Sequence, residues 1–217
     1  PLDTSASTLV SPCDGAWGES GEIREGTLFQ LKGRPYSLAE LLNDSDAAGA
    51  LEGGCFATFY LAPRDYHRFH APCALQVTRA KYVPGSLWPV NSLGLAGVDG
   101  LFAQNERLCI FGRTGAGAGE LALVAVGATL VGKVRVRFDD LSTQSRPRRP
   151  VERRDSGGRA RFAKGEALGR FEFGSTLVLL LPPGFARLAP AEPGEVLRLG
   201  RPVARLETSH TREPETA

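Results

Sequence analysis

Phe173-Gly174-Ser175-Thr176-Leu177-Val178-Leu179-Leu180-Leu181 is the stretch on which the reading of this chain turns. Its apolar run from Leu177 to Leu181 is continuous, short and closed by Pro182-Pro183, which reads as a β-strand. The strand is expected to cover 171–181. A serine set between a glycine and such a strand can attack its own backbone. Gly174 has no side chain to obstruct the approach and tolerates strained dihedrals.

Outward from that stretch, strand signals dominate. Segments 26–32, 55–61, 75–82, 107–111, 121–126, 130–138 and 196–206 are apolar or alternating, and Gly, Pro and Asn punctuate them. Helical character is clear only at 37–43. There Ser37-Leu38-Ala39-Glu40 forms a capping box, with Ser at the N-cap and Glu three residues later. A second helical turn is expected at 64–70. The glycines at 115, 117 and 119 fall in a loop between strands; no Lys-Ser/Thr follows and no helix opens, which excludes a phosphate cradle. The fold class that follows is mainly β (α+β): a single β-rich domain of antiparallel sheets with few short helices over 1–206, and a polar tail at 207–217.

The 217 residues suffice for one domain with a real core, and 42% hydrophobic with 23% charged residues is ordinary globular composition. Net charge is only +2, so the molecule is no polycation and no nucleic-acid partner is expected. The charge is uneven, however. Segment 146–164 contains Arg146, Arg148, Arg149, Arg153, Arg154, Arg159, Arg161 and Lys164 against Glu152 and Asp155, a local excess of +6. It reads either as a solvated loop or as an anchor for anionic lipid headgroups. Cys13, Cys55, Cys73 and Cys109 are widely spaced without a Cys-x-x-Cys pair, which points to free thiols. The chain opens at Pro1 and contains no methionine, so a processed or trimmed form is expected.

Serine is a poor nucleophile until a base takes its proton. The chain has three histidines, and two of them, His67 and His70, stand in the polar cluster Asp65-Tyr66-His67-Arg68-Phe69-His70 after a strand-like segment. That pair points to proton transfer.

The serine stretch, Ser11-Pro12-Cys13-Asp14-Gly15, and Tyr60-Leu61-Ala62-Pro63-Arg64-Asp65-Tyr66-His67-Arg68-Phe69-His70-Ala71-Pro72 together resemble the phosphatidylserine decarboxylase family. So do Tyr82-Val83-Pro84-Gly85 with Asn91, Leu101-Phe102-Ala103-Gln104-Asn105-Glu106-Arg107, the segment 126–132 and the segment 164–171. Cys13 and Phe173 depart from that pattern, where alanine and leucine are common. The resemblance implies that Ser175 is a self-cleaving serine, His70 its base and Asp14 the carboxylate that orients the base. Cleavage between Gly174 and Ser175 would leave a β chain and an α chain, with a covalent pyruvoyl group derived from Ser175 as cofactor. His67, which matches the family's first histidine, is expected to donate the proton after decarboxylation. The implied substrate is phosphatidylserine, converted to phosphatidylethanolamine. The implied setting is peripheral, on an anionic membrane surface at the cytoplasmic side, and a homodimer is expected.

Three other readings compete. His67, His70 and Cys73 recur every third residue, and Cys13 could join them as zinc ligands, but Pro72 interrupts the turn. No metal is expected. A non-enzymatic membrane-surface module would use the basic segment, Trp88 and Leu181-Pro182-Pro183-Gly184-Phe185. The same chemistry could also act on another serine-bearing lipid or a soluble amino acid. Asn105, Glu106 and Arg107 are either substrate contacts or a buried network.

Overall fold

The computed structural model describes residues 1–30, 33–115, 119–129, 133–144, 148–155, 157–172 and 175–207. The expected β-rich, antiparallel architecture is what it shows. A nine-stranded sheet runs in the order Val151–Arg154, Leu75–Val83, Arg107–Arg113, Glu120–Val126, Thr176–Leu181, Cys55–Tyr60, Gly15–Glu22, Val196–Leu197, and Arg161–Phe162 also pairs with Leu75–Val83. Smaller sheets unite Val134–Val136, Ala167–Phe171 and Arg68–His70, and Thr8–Val10, Pro202–Leu206 and Ala186–Leu188. Thr27–Gln30 and Arg34–Ser37 form a hairpin.

Thr176–Leu181 lies between Cys55–Tyr60 and Glu120–Val126, and every one of its side chains is buried. Both faces of a central strand are covered, so its sequence is continuously apolar instead of alternating. The helix Leu38–Leu42 forms as the capping box requires: Ser37 Oγ accepts the Glu40 amide at 3.2 Å, and Asn43 closes the helix at φ 49°. Arg107 ties this helix to the sheet. Its Nε donates to Leu41 O at 2.6 Å, Nη2 to Glu40 O at 2.5 Å and Nη1 to Asn105 O at 2.7 Å.

Several boundaries differ from expectation. The segment 171–181 is two strands in two sheets. Phe171 N donates to His67 O and Glu172 N to Lys133 O, holding the chain in the small sheet, whereas Ser175 O accepts Leu61 N in the large one. Gly174 lies outside the described residues. Segment 196–206 is likewise divided, because the turn at Gly200, with φ 83°, carries Gly200 N to Ser11 O. The turn expected at 64–70 is partly a strand: Arg68–His70 pairs with Ala167–Phe171. Of segment 130–138 only Val134–Val136 is described as a strand. The basic segment contains two strands, Val151–Arg154 and Arg161–Phe162, both on Leu75–Val83; Arg146 lies outside the described residues. Leu181 and Phe185 are buried and offer no apolar surface. Glu207 is tied by its amide to Phe185 O; 208–217 lie outside the described residues.

Candidate active site

The site forms at one end of the nine-stranded sheet. Arg107, Val126, Thr176, Tyr60 and Ala16 stand opposite one another in a single row of paired residues. One step beyond, the ladder continues: Gly127 N donates to Glu106 O and Leu61 N to Ser175 O, each at 2.7 Å. Because successive side chains alternate faces, Glu106, Gly127 and Ser175 share the face opposite Arg107 and Thr176. Gly15 joins this end by close approach, since its φ of 150° and the nearness of Tyr60 O leave no room for a Cβ.

Ser175 is fully buried, and its Oγ donates to Val126 O. A carbonyl cannot accept a transferred proton, so this bond stores the hydroxyl without activating it. His70 closes the strand Arg68–His70, with its amide on Pro12 O at 2.7 Å. That bond draws the 11–15 and 60–72 stretches together beside the serine's strand. His70 Nδ1 lies 2.9 Å from Gly165 O and Nε2 lies 3.3 Å from Tyr66 Oη. Gly165 O only accepts, so Nδ1 carries the hydrogen and Nε2 holds the lone pair. Burial shifts the His70 pKa below its ordinary 6.5, Gly165 O opposes that shift, Arg68 and Arg137 add to it, and Asp14 opposes it. A neutral imidazole whose Nε2 lone pair accepts the Tyr66 hydroxyl is the base form at neutral pH.

Asp14 acts on His70 through its charge. Its own Oδ1 accepts Leu199 N at 2.7 Å and its Oδ2 lies 3.9 Å from Arg198 Nη1, while Gly165 O occupies His70 Nδ1. The structure therefore brings Asp14 into the field of His70 and gives the orienting hydrogen bond to a backbone carbonyl. His67 is half-buried, its Nε2 is 3.0 Å from Pro63 O, and its own carbonyl holds Phe171 just upstream of the serine. Among the described residues no three His, Cys, Asp or Glu side chains converge as metal ligands. Burial, reinforced by Asp14 and Asp65, pushes the Cys13 thiol far up, and burial pushes Cys73 to about 12, so neither is a thiolate at neutral pH. All four cysteines are unpaired.

Sequence reasoning missed the carbonyls of Val126 and Gly165 and the amide of Leu61, because backbone groups carry no residue signature. Tyr66 was within the quoted motif, and its spacing of four from His70 was the available signal. On the opposite face, a cavity of about 490 Å³ opens beside Thr176, lined by Trp17, Tyr60, Val90, Leu95 and Phe102 among others.

A sequence model described as phosphatidylserine decarboxylase matches residues 1–205. The chain belongs to the phosphatidylserine decarboxylase family. It is 45% identical over 205 residues to a phosphatidylserine decarboxylase proenzyme of Anaeromyxobacter sp. (strain K), covering 94% of this chain and 72% of that protein. It is 43% identical over 206 residues to the proenzyme of Brevibacillus brevis (94% and 73%) and 45% identical over 201 residues to that of Chromobacterium violaceum (90% and 70%). Membership makes this chain an enzyme of phospholipid biosynthesis, and the relatives just named are proenzymes.

Proposed function

We propose that this chain cleaves itself between Gly174 and Ser175 and then decarboxylates phosphatidylserine at a membrane surface. The observation that carries the reading is the placement of Ser175. It is buried at the head of the central strand, at the end of the sheet where the His70 and Asp14 stretches meet. For cleavage, the Ser175 hydroxyl leaves Val126 O and gives its proton to His70 Nε2. The oxygen attacks the Gly174 carbonyl carbon, the carbon–nitrogen bond breaks, and the amide nitrogen of residue 175 takes the proton back. An ester replaces the amide. Loss of the α-hydrogen of residue 175 then breaks the Cβ–O bond, freeing the Gly174 carboxylate. Water converts the resulting dehydroalanine to a pyruvoyl group and ammonia. The charge of Asp14 stabilises the His70 cation formed on the way.

Residue 175 fits such a group. Its side chain is out of water, and Leu61 N holds its carbonyl at 2.7 Å, so it stays seated when the preceding bond is cut. The pyruvoyl group supplies the electron sink for decarboxylation that ordinary side chains lack. His67 is assigned as donor of the proton to the substrate carbon.

Leu93, 81% exposed, gives the 90–95 stretch an apolar contact for a lipid surface. Each CH₂ drawn from a bilayer into water costs about 0.8 kcal/mol, so the enzyme must meet its lipid at the surface. No helix among the described residues is long and apolar enough to cross a membrane. A homodimer and a location on the cytoplasmic face of the membrane complete the reading. Intact mass of the purified chain tests it: a 175–217 fragment with a blocked N-terminus is expected, absent in Ser175→Ala. A wild-type chain that remains single after long incubation, with serine at 175, refutes it.

A further inference from the structure

The Asn105-Glu106-Arg107 motif divides on inspection. Asn105 is saturated: Oδ1 accepts Trp88 N at 2.8 Å, and Nδ2 donates to Trp88 O and Gly127 O, each at 2.8 Å. Arg107 spends its donors on Leu41, Glu40 and Asn105 carbonyls. Glu106 is different. It is 5% exposed; Oε2 accepts Tyr82 Oη at 3.1 Å and Gln144 N at 3.2 Å, whereas Oε1 is buried without a hydrogen-bond partner among the described residues. A buried carboxylate oxygen left unpartnered is costly, and such atoms are rare outside functional sites.

Its position gives the open atom a purpose. Glu106 lies in the same row and on the same face as Ser175, with only Gly127 between them. Neighbouring strands are about 4.8 Å apart, which sets the two backbones roughly 10 Å apart. A Cβ on Gly127 would stand 3.1 Å from Glu106 Cγ and 3.4 Å from Leu87 Cδ2, so the glycine lets the Glu106 side chain lie close over this strand. The field across the site is polarised: the carboxylate is on the Gly127 side of Ser175, while Arg68 and Arg137 act on His70.

We propose that Glu106 Oε1 receives the ammonium group of the substrate's serine headgroup and thereby sets that nitrogen beside residue 175. The inference rests on the decarboxylase reading above. It makes Glu106 a binding residue whose charge selects amine-bearing headgroups, and it gives a role to the one acid between two neighbours already hydrogen-bonded within the fold.

The test compares matured wild type with Glu106→Gln, which keeps shape and the bonds to Tyr82 and Gln144 but removes the charge. Two readouts are used: KM against kcat for phosphatidylserine in mixed micelles, and, on enzyme whose pyruvoyl ketone has been reduced with borohydride so that no imine can form, calorimetric binding of short-chain phosphatidylethanolamine against its N-acetyl derivative, which has no cation. Wild type is expected to favour the free amine by about tenfold or more, the size of one charge-assisted hydrogen bond. Glu106→Gln should lose that preference and raise KM about tenfold with kcat changed much less. A matured Glu106→Gln with the preference intact overturns the proposal. So does a folded variant that stays uncleaved, which would place the carboxylate in maturation. Should Glu106→Gln misfold by near-ultraviolet circular dichroism, Glu106→Asp decides: a weakened preference supports the proposal, while an unchanged one or renewed misfolding overturns it. A wild type that neither cleaves nor decarboxylates refutes the functional reading itself, which is a separate result.

Discussion

Replacing Arg107 with methionine should cost stability without touching the chemistry of the site. Arg107 is 2% exposed, and its guanidinium donates to three carbonyls at 2.5–2.7 Å. Glu40 O also receives Asn43 N at 3.2 Å, so it keeps a partner when the arginine is removed. Leu41 O retains only the weak Cys109 thiol at 3.6 Å, and Asn105 O has no other donor among the described residues. One buried carbonyl is thus orphaned and a second is left with a weak thiol donor, at about 1–3 kcal/mol each, for a total of about 4 kcal/mol. Relief of the arginine's own burial, which lowers its pKa, offsets a part. A chain of this size loses about 2–4 °C of Tm per kcal/mol, so Tm should fall by about 8–16 °C. The assay is thermal circular dichroism in a Ser175→Ala background, where the chain stays single. A Tm within about 2 °C of the parent would show that the helix Leu38–Leu42 does not depend on this anchor, and the division of roles within the motif would fail with it.

Three further outcomes are expected. His70→Ala should stop cleavage, whereas Asp14→Asn, which keeps the Leu199 bond and removes only a charge, should slow it. Equal arrest in both, followed by denaturing electrophoresis, would mean that Asp14 contacts the base directly. Cleavage by wild type should stay level as pH falls to 6.5 and decline only below it, since burial and the two arginines hold His70 neutral to lower pH than an ordinary histidine. The sign for stability is the same: the unfolded state binds the proton more readily, so the contribution is complete above 6.5 and is lost as pH falls toward the folded value. Exposed Arg153, Arg154 and Arg159 should draw the protein to anionic vesicles in a salt-sensitive way, and serine at all three should weaken sedimentation with vesicles but leave cleavage intact; equal sedimentation at low salt would assign the anchoring elsewhere.

The sequence disclosed what side chains state and concealed what the backbone arranges. The run Leu177–Leu181, the capping box at Ser37 and the histidine pair were all readable, because burial, capping and proton transfer each demand particular residue types. The break between Phe171 and Thr176 was not. Both sides look like strand, and only pairing to different partners separates them. Arg68–His70 was read as helical because a three-residue strand holds too little pattern to show a period. Asp14 was expected by resemblance to orient His70, while the carbonyl of Gly165, which lies at His70 Nδ1 here, is invisible in any residue code.

Placement of the serine at the head of a central strand has a consequence for the cut protein. Cleavage before Ser175 would break one covalent bond but no ladder bond. Residues 175–217 would still supply Thr176–Leu181, clasped on both sides by Cys55–Tyr60 and Glu120–Val126. Pro202–Leu206 would remain on Thr8–Val10, and Val196–Leu197 on Gly15 and Ala16. The smaller fragment is thus threaded through the core of the larger one, and all of Leu177 to Leu181 would have to be exposed for it to leave. Both fragments should therefore coelute on native gel filtration and separate only in denaturant, at the midpoint where the β-sheet signal itself is lost. Separation on a native column would refute the reasoning. The arrangement would also serve the proposed chemistry: residue 175 is fixed by Leu61 N and by the strand behind it, so a cut before it would free an end without freeing a group formed there.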